Sequence, residues 1–309
     1  MWLVLLASIW GASYMFIKIG LRDLSPPMIA WARIALAAAV LVPVAASQGA
    51  LGASRTRAGT VALVGAVQVA CPFLFIGLGE QEISSALTGI LIASAPIFTA
   101  VLAIWVDHEE RSEGARLLGI VLGIAGVAAL FGLDLSGSGS AVLGGLAIVL
   151  AGLGYAVGGF LVKHRLADLP PIGVAAWVMV ASAIWLLPAA VLTAPASMPP
   201  LGPLAAVLTL GVVGTGIAFA IFYTLIGSVG PARALIVAYL APGFAVMYGA
   251  ALLGERITIA TVAGLALILA GSWLAVEGSP RATRWRRGEA AARPDSAPRP
   301  APSGVRPGR

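Results

Sequence analysis

The chain has 309 residues, 60% of them apolar and only 10% charged, with a mean hydropathy of +0.99. A soluble domain carries roughly 25% charged residues, and one this apolar would be left with large exposed patches that only a bilayer can cover. The net charge of +6 does not mark a nucleic-acid binder, because eight arginines against Glu289 and Asp295 put all of it in the segment from Arg281 to Arg309.

The expected class is all-α, a polytopic membrane protein with ten transmembrane helices. Taken in order, apolar stretches separated by charges, prolines and glycine-serine clusters predict spans near 2–20, 27–47, 58–79, 84–106, 116–133, 141–162, 171–193, 203–226, 231–253 and 258–276. Each reaches about the 20 residues that a bilayer core demands, and a helix satisfies its own backbone there. The first stretch lacks the basic n-region of a signal peptide and reads as the first span. With the N-terminus inside, Arg55, Arg57, Arg111, Arg116, Lys163, Arg165, Arg233 and the basic tail fall on the inner side, against Lys18, Arg22 and Arg256 outside. The positive-inside rule then predicts an inner (plasma) membrane protein with both termini cytoplasmic. Residues 278–309, rich in Pro, Ala, Gly, Ser and Arg, are expected to be a disordered cytoplasmic tail whose arginines meet anionic lipid.

Self-similarity at an offset of 145–146 residues is the most informative feature. Trp10 matches Tyr155, Lys18 matches Lys163, Pro26 matches Pro171 and Pro43 matches Pro188. Further on, Gly65 matches Gly211, Phe73 matches Phe219, Ala95-Pro96 matches Ala241-Pro242, and Glu109 matches Glu255. The pairs divide the chain into units 1–133 and 141–276 of five spans each. Five is odd, so the second unit enters the membrane from the opposite side. Such inverted repeats belong to alternating-access transporters, with the site at the seam between them.

The segments WGASYMFIKIGLRDLSPPMIAWARIALAA, APIFTAVLAIWVDHEERSEGARLLGIVLGIAGVAAL and APGFAVMYGAALLGERITIATVAGLALILAGSWL resemble the EamA-type transporters of the drug/metabolite transporter superfamily. The resemblance covers about residues 1–276 and implies a ten-helix fold of two inverted units that moves amino acids, metabolites or drugs. It departs in one respect: the position matching Arg33 is Val178. Proton antiport in related small multidrug exporters relies on a glutamate in the first helix, and this first helix has no acidic residue.

Candidate site residues follow from spacing. Pro96 and Pro242 free the carbonyls of Ile92 and Ala238 in mid-membrane, which suits a kinked helix beside a pathway. Trp10 and Tyr14 share a face of the first span, as do Thr215, Phe219 and Tyr223 in the eighth. Gln68, Thr88, Tyr155 and Tyr239 add polar groups that need a partner or a ligand. Together these nine are expected to bind substrate, although hydrogen bonding between helices would account for any one of them. Arg33 is expected in a structural or gating ion pair in preference to direct contact with an anionic substrate group, Glu109 and Glu255 as caps near following helices, and Glu80 and Glu82 as solvated turn residues. GxxxG patterns at Gly119/Gly123 and Gly154/Gly158 are packing signals first, compatible with a monomer or a weak homodimer.

The chain has no phosphate-binding loop and no clustered metal ligands or catalytic dyad, so neither catalysis nor a cofactor is expected. The favoured function is a secondary transporter, in the exporting direction, of small metabolites, amino acids or drugs. The alternative is a membrane enzyme or sensor acting on a lipid or headgroup-sized ligand.

Overall fold

A computed structural model describes residues 1–106, 114–135, 138–229, 234 and 236–277; the tail lies outside the described residues. Among the described residues every regular element is helical, and nine helices are long and apolar enough to cross a membrane. They are α1 (Trp2–Gly20), α2 (Pro26–Ser47), α3 (Ala58–Glu82), α4 (Ser85–Ile104), α5 (Ala115–Leu133), α6 (Gly139–Arg165), α7 (Pro171–Leu192), α8 (Leu201–Ile226) and α9 (Ile236–Leu253). A further apolar helix, α10, covers Ile259–Glu277. The molecule is a multi-pass membrane protein. Its outer surface is what a bilayer requires: Leu117, Leu118, Val121 and Ile124 on α5 and Ile184, Trp185 and Val191 on α7 all point outward.

Local chemistry sets the helix starts. Ser25 precedes Pro26, and its hydroxyl accepts a bond from the Met28 amide at 3.4 Å. Ser84 does the same for Leu87 at 3.1 Å and so opens α4. Serine at the N-cap answers one of the amides that a helix start leaves open.

Three irregularities shape the interior. Residues Gly65–Ala70 of α3 and Val212–Ile217 of α8 are π-helical, and each π segment widens its helix by a residue per turn. The third is a break in α4, where a turn separates the helical stretch Ser85–Ile92 from the one that begins at Ala95. Sequence reasoning expects a kink at Pro96; the structure has a full interruption just before it. The carbonyls at the break find hydroxyl donors: Ser94 donates to Leu91 at 2.6 Å, and Ser272 of α10 donates to Ala93 at 2.8 Å. By contrast α9 continues helically through Pro242.

The helices pack in definite pairs: α2 on α7, α5 on α10, α4 on α9, α1 on α8 and α9, and α6 on α3 and α4. Glycines permit the closest of these. A Cβ on Gly271 of α10 would sit 2.7 Å from the Gly119 carbonyl oxygen and from the Gly123 Cα on α5. The Gly119/Gly123 face is thus buried against α10 within this chain. Gly158 of α6 likewise leaves room for Gln68 of α3, whose Cγ a Cβ would approach to 2.7 Å.

Candidate functional site

The helix pairs leave a cavity of about 440 Å³ in the middle of the bundle. That is within the few-hundred-Å³ range of small-molecule sites. One wall is aromatic: Trp10 and Tyr14 of α1, Tyr155 of α6, Phe219 of α8 and Tyr239 of α9. Trp10 meets Phe219 edge-on at a centroid distance of 6.0 Å and leans on Phe222 at 5.2 Å, which holds its indole in place. The break in α4 and the proline turn of α9 also border the cavity. Ile92 and Pro96, and Ala238 and Pro242, all line the cavity, so both residues whose carbonyls the prolines release border it. Ser13, Ile76, Gly89, Ala93, Thr99 and Ala156 complete much of the lining; none of them stands out in the sequence, since small and aliphatic residues are common in every span.

Arg33 is the one charged side chain among the described lining residues. It projects from α2, only 8% exposed, and its Nε–H donates to the Thr215 hydroxyl at 2.7 Å. Its guanidinium carbon lies 3.8 Å from the centroid of the Phe73 ring, a cation–π stack. The π segment of α8 makes the Thr215 contact possible, because the Thr215 hydroxyl donates back to the Leu210 carbonyl at 2.9 Å and keeps a lone pair for Arg33. The ion pair expected of Arg33 does not form among the described residues, whose one salt bridge joins Arg57 to Asp168 at 2.8 Å.

Other candidates sit away from the cavity. Gln68 packs between α3 and α6 beneath Gly158. The Thr88 hydroxyl donates to the Ser84 carbonyl at 3.1 Å. Thr215 stands one layer behind the lining, and Tyr223 lies behind Phe219 at 6.2 Å between centroids. Glu255 is a cap, but of a different helix from the following one: its carboxylate accepts from the Ser85 and Ala86 amides at 2.8 and 3.0 Å and closes the start of α4. Glu109 lies outside the described residues.

Glu80 corrects the expectation of a solvated turn. It is 0% exposed, and neither carboxylate oxygen has a hydrogen-bond partner. Lys18 reaches the same turn, but its ammonium donates to the backbone carbonyls of Glu80 and Ile83 at 2.5 and 2.8 Å. Sequence spacing places Glu80 at the end of an apolar run and cannot say that α1 and α6 fold over it. No group of three or more His, Cys, Asp or Glu among the described residues is placed to hold a metal ion.

Comparison with known proteins gives consistent results over the whole length of the bundle. The model of the "EamA-like transporter family" matches residues 1–132 and again residues 142–276. The "Uncharacterized inner membrane transporter YedA" of Escherichia coli is 30% identical over 270 residues, which is 84% of this chain and 83% of that protein. The "Probable amino-acid metabolite efflux pump" of Escherichia coli is 26% identical over 92% of this chain and 95% of its own. A solved crystal structure superposes with a TM-score of 0.64 at 20% identity, covering 91% of this chain and 97% of its own, which shows a shared fold.

Proposed function

Because the chain belongs to the EamA-like transporter family, we propose that it is a secondary carrier that exports small metabolites by alternating access. The observation that carries this reading is the pairing of positions around the cavity. Trp10 and Tyr155, Ile92 and Ala238, Ala93 and Tyr239, Ala95 and Ala241, and Pro96 and Pro242 are equivalent under the repeat, and all ten line it. A cavity lined by the same positions of two copies lies on the seam between them. Rocking one copy against the other then opens it to either side in turn.

We read the bundle as ten spans in two inverted five-helix units, and the packing supports that reading. The contacts exchange under the repeat: α1 meets α8 as α6 meets α3, and α1 meets α9 as α6 meets α4. The two π segments also fall at nearly equivalent places, Gly65–Ala70 and Val212–Ile217. We place the protein in the inner membrane with both termini cytoplasmic, following the basic residues of its loops and tail. The cargo is a molecule of amino-acid size with an apolar part, in keeping with the cavity volume, its aromatic wall and the name of one relative.

Counterflow exchange in proteoliposomes across a broad metabolite panel tests the reading. A solute that exchanges through the wild-type protein should exchange about tenfold more slowly through Trp10→Ala, which removes the main apolar platform of the cavity. A protein that exchanges no member of the panel would sink the carrier reading.

A further inference from the structure

The guanidinium of Arg33 is fixed on two sides and open on the third. Thr215 holds Nε and Phe73 lies under the plane, so the fork cannot turn away from the cavity. A guanidinium carries five N–H donors. One is used here, and the terminal nitrogens meet no protein acceptor among the described residues. Among the described lining residues there is no Asp or Glu, and the buried Glu80 carboxylate, within electrostatic reach of Arg33, makes no ion pair with it. A buried cation without a contacting counter-charge is costly, and an arginine fork matches the two oxygens of a carboxylate.

We infer that the missing counter-ion is the cargo itself: an organic monocarboxylate whose carboxylate pairs with Arg33 while its apolar body lies against Trp10, Tyr14 and Phe219. This rests on the carrier reading and adds the chemical class of what is carried. Three features make the class narrow. The repeat equivalent of Arg33 is Val178, so the cavity has one anion site and suits a single carboxylate rather than a dianion. Tyr14 and Tyr155 line the same space, their hydroxyls have no hydrogen-bond partner among the described residues, and a phenol O–H can donate to a carboxylate oxygen. The described lining offers an ammonium group no opposite charge, so an amine or a zwitterion is held less well than a plain acid.

The test titrates the purified full chain calorimetrically with 3-phenylpropionate, 3-phenylpropanamide and 2-phenylethylamine, and repeats the series as counterflow in proteoliposomes. The acid should bind, with the amide and the amine weaker by on the order of 10- to 100-fold, the value of a charge-assisted bond in a dry site. Arg33→Gln should abolish that discrimination. Thr215→Val, which keeps the charge and removes its anchor, should weaken the acid by a smaller factor. An amide bound as tightly as the acid, an acid that does not bind, or discrimination that survives in Arg33→Gln would overturn the inference. Should Arg33→Gln fail to fold, the wild-type ligand series and Thr215→Val decide the matter. An acid that binds but does not exchange would leave the anion site standing and remove the carrier. Amide and amine that exchange as fast as the acid would leave the carrier standing and remove the anion site.

Discussion

Glu80 and Arg33 are both ionisable and both buried, but their surroundings give them opposite consequences. Arg33 faces a cavity and has an aromatic ring and a hydroxyl to hold it, whereas the carboxylate of Glu80 has neither a donor nor an opening. An unsatisfied polar group of this kind costs about 1–3 kcal/mol, and more when charged. Glu80→Met, which keeps the length and removes both unpartnered oxygens, should therefore raise stability by about 1–3 kcal/mol. Thermal melting in detergent measures it, and a lower melting temperature would mean that the carboxylate balances Lys18 across the turn. Glu255 predicts the reverse. Its two bonds to the Ser85 and Ala86 amides serve the start of α4, so Glu255→Ala should cost about 0.5–2 kcal/mol by the same measurement.

At the scale of elements, the two proline-bearing spans are not alike. The break in α4 is closed by hydroxyls from Ser94 and Ser272, which answer the carbonyls of Leu91 and Ala93 on either side of Ile92. Helix α9 runs unbroken through Pro242, and Ala238, whose carbonyl loses its usual donor, borders the cavity. Pro242→Ala would return that donor and straighten α9. We expect slower counterflow exchange with an unchanged or higher melting temperature, and exchange as fast as wild type would show that the proline only shapes packing. The α5–α10 contact predicts a cost instead. Gly271→Leu must push the backbones of Gly119 and Gly123 away and should destabilise by about 1–3 kcal/mol, read by thermal melting.

At the scale of the whole molecule, residues from both family-matched segments line the cavity, while the large apolar side chains of α5, α6 and α7 face outward. Both follow from placing the chain in lipid, where close packing through small residues holds helices together. The basic tail predicts orientation. A green fluorescent protein fused after residue 309 should fluoresce in intact bacterial cells, and an alkaline phosphatase fusion at the same point should be inactive. The opposite pair of results would invert the topology.

Hydrophobicity and repetition are properties of a linear string, so the membrane class, the positions of the spans and the pairing of Trp10 with Tyr155 and Pro96 with Pro242 can be read from the sequence alone. Aromatic residues at helical spacing also pointed to a face of α1, and Trp10 and Tyr14 do share the cavity wall. Which side of each helix meets which neighbour depends on contacts far apart in the chain, 62 residues for Lys18 and Glu80 and 182 for Arg33 and Thr215, and no local pattern encodes them. Gln68 and Tyr223 therefore read as equals of Trp10 but lie behind the lining, while Thr215, a layer back, holds Arg33 in place. Glu80, close to a turn in the sequence, becomes a buried carboxylate only when the bundle closes over the end of α3. The sequence determined a membrane bundle with an internal repeat; tertiary packing decided which polar groups are satisfied by protein and which are left open, because satisfaction depends on neighbours that only the fold brings together.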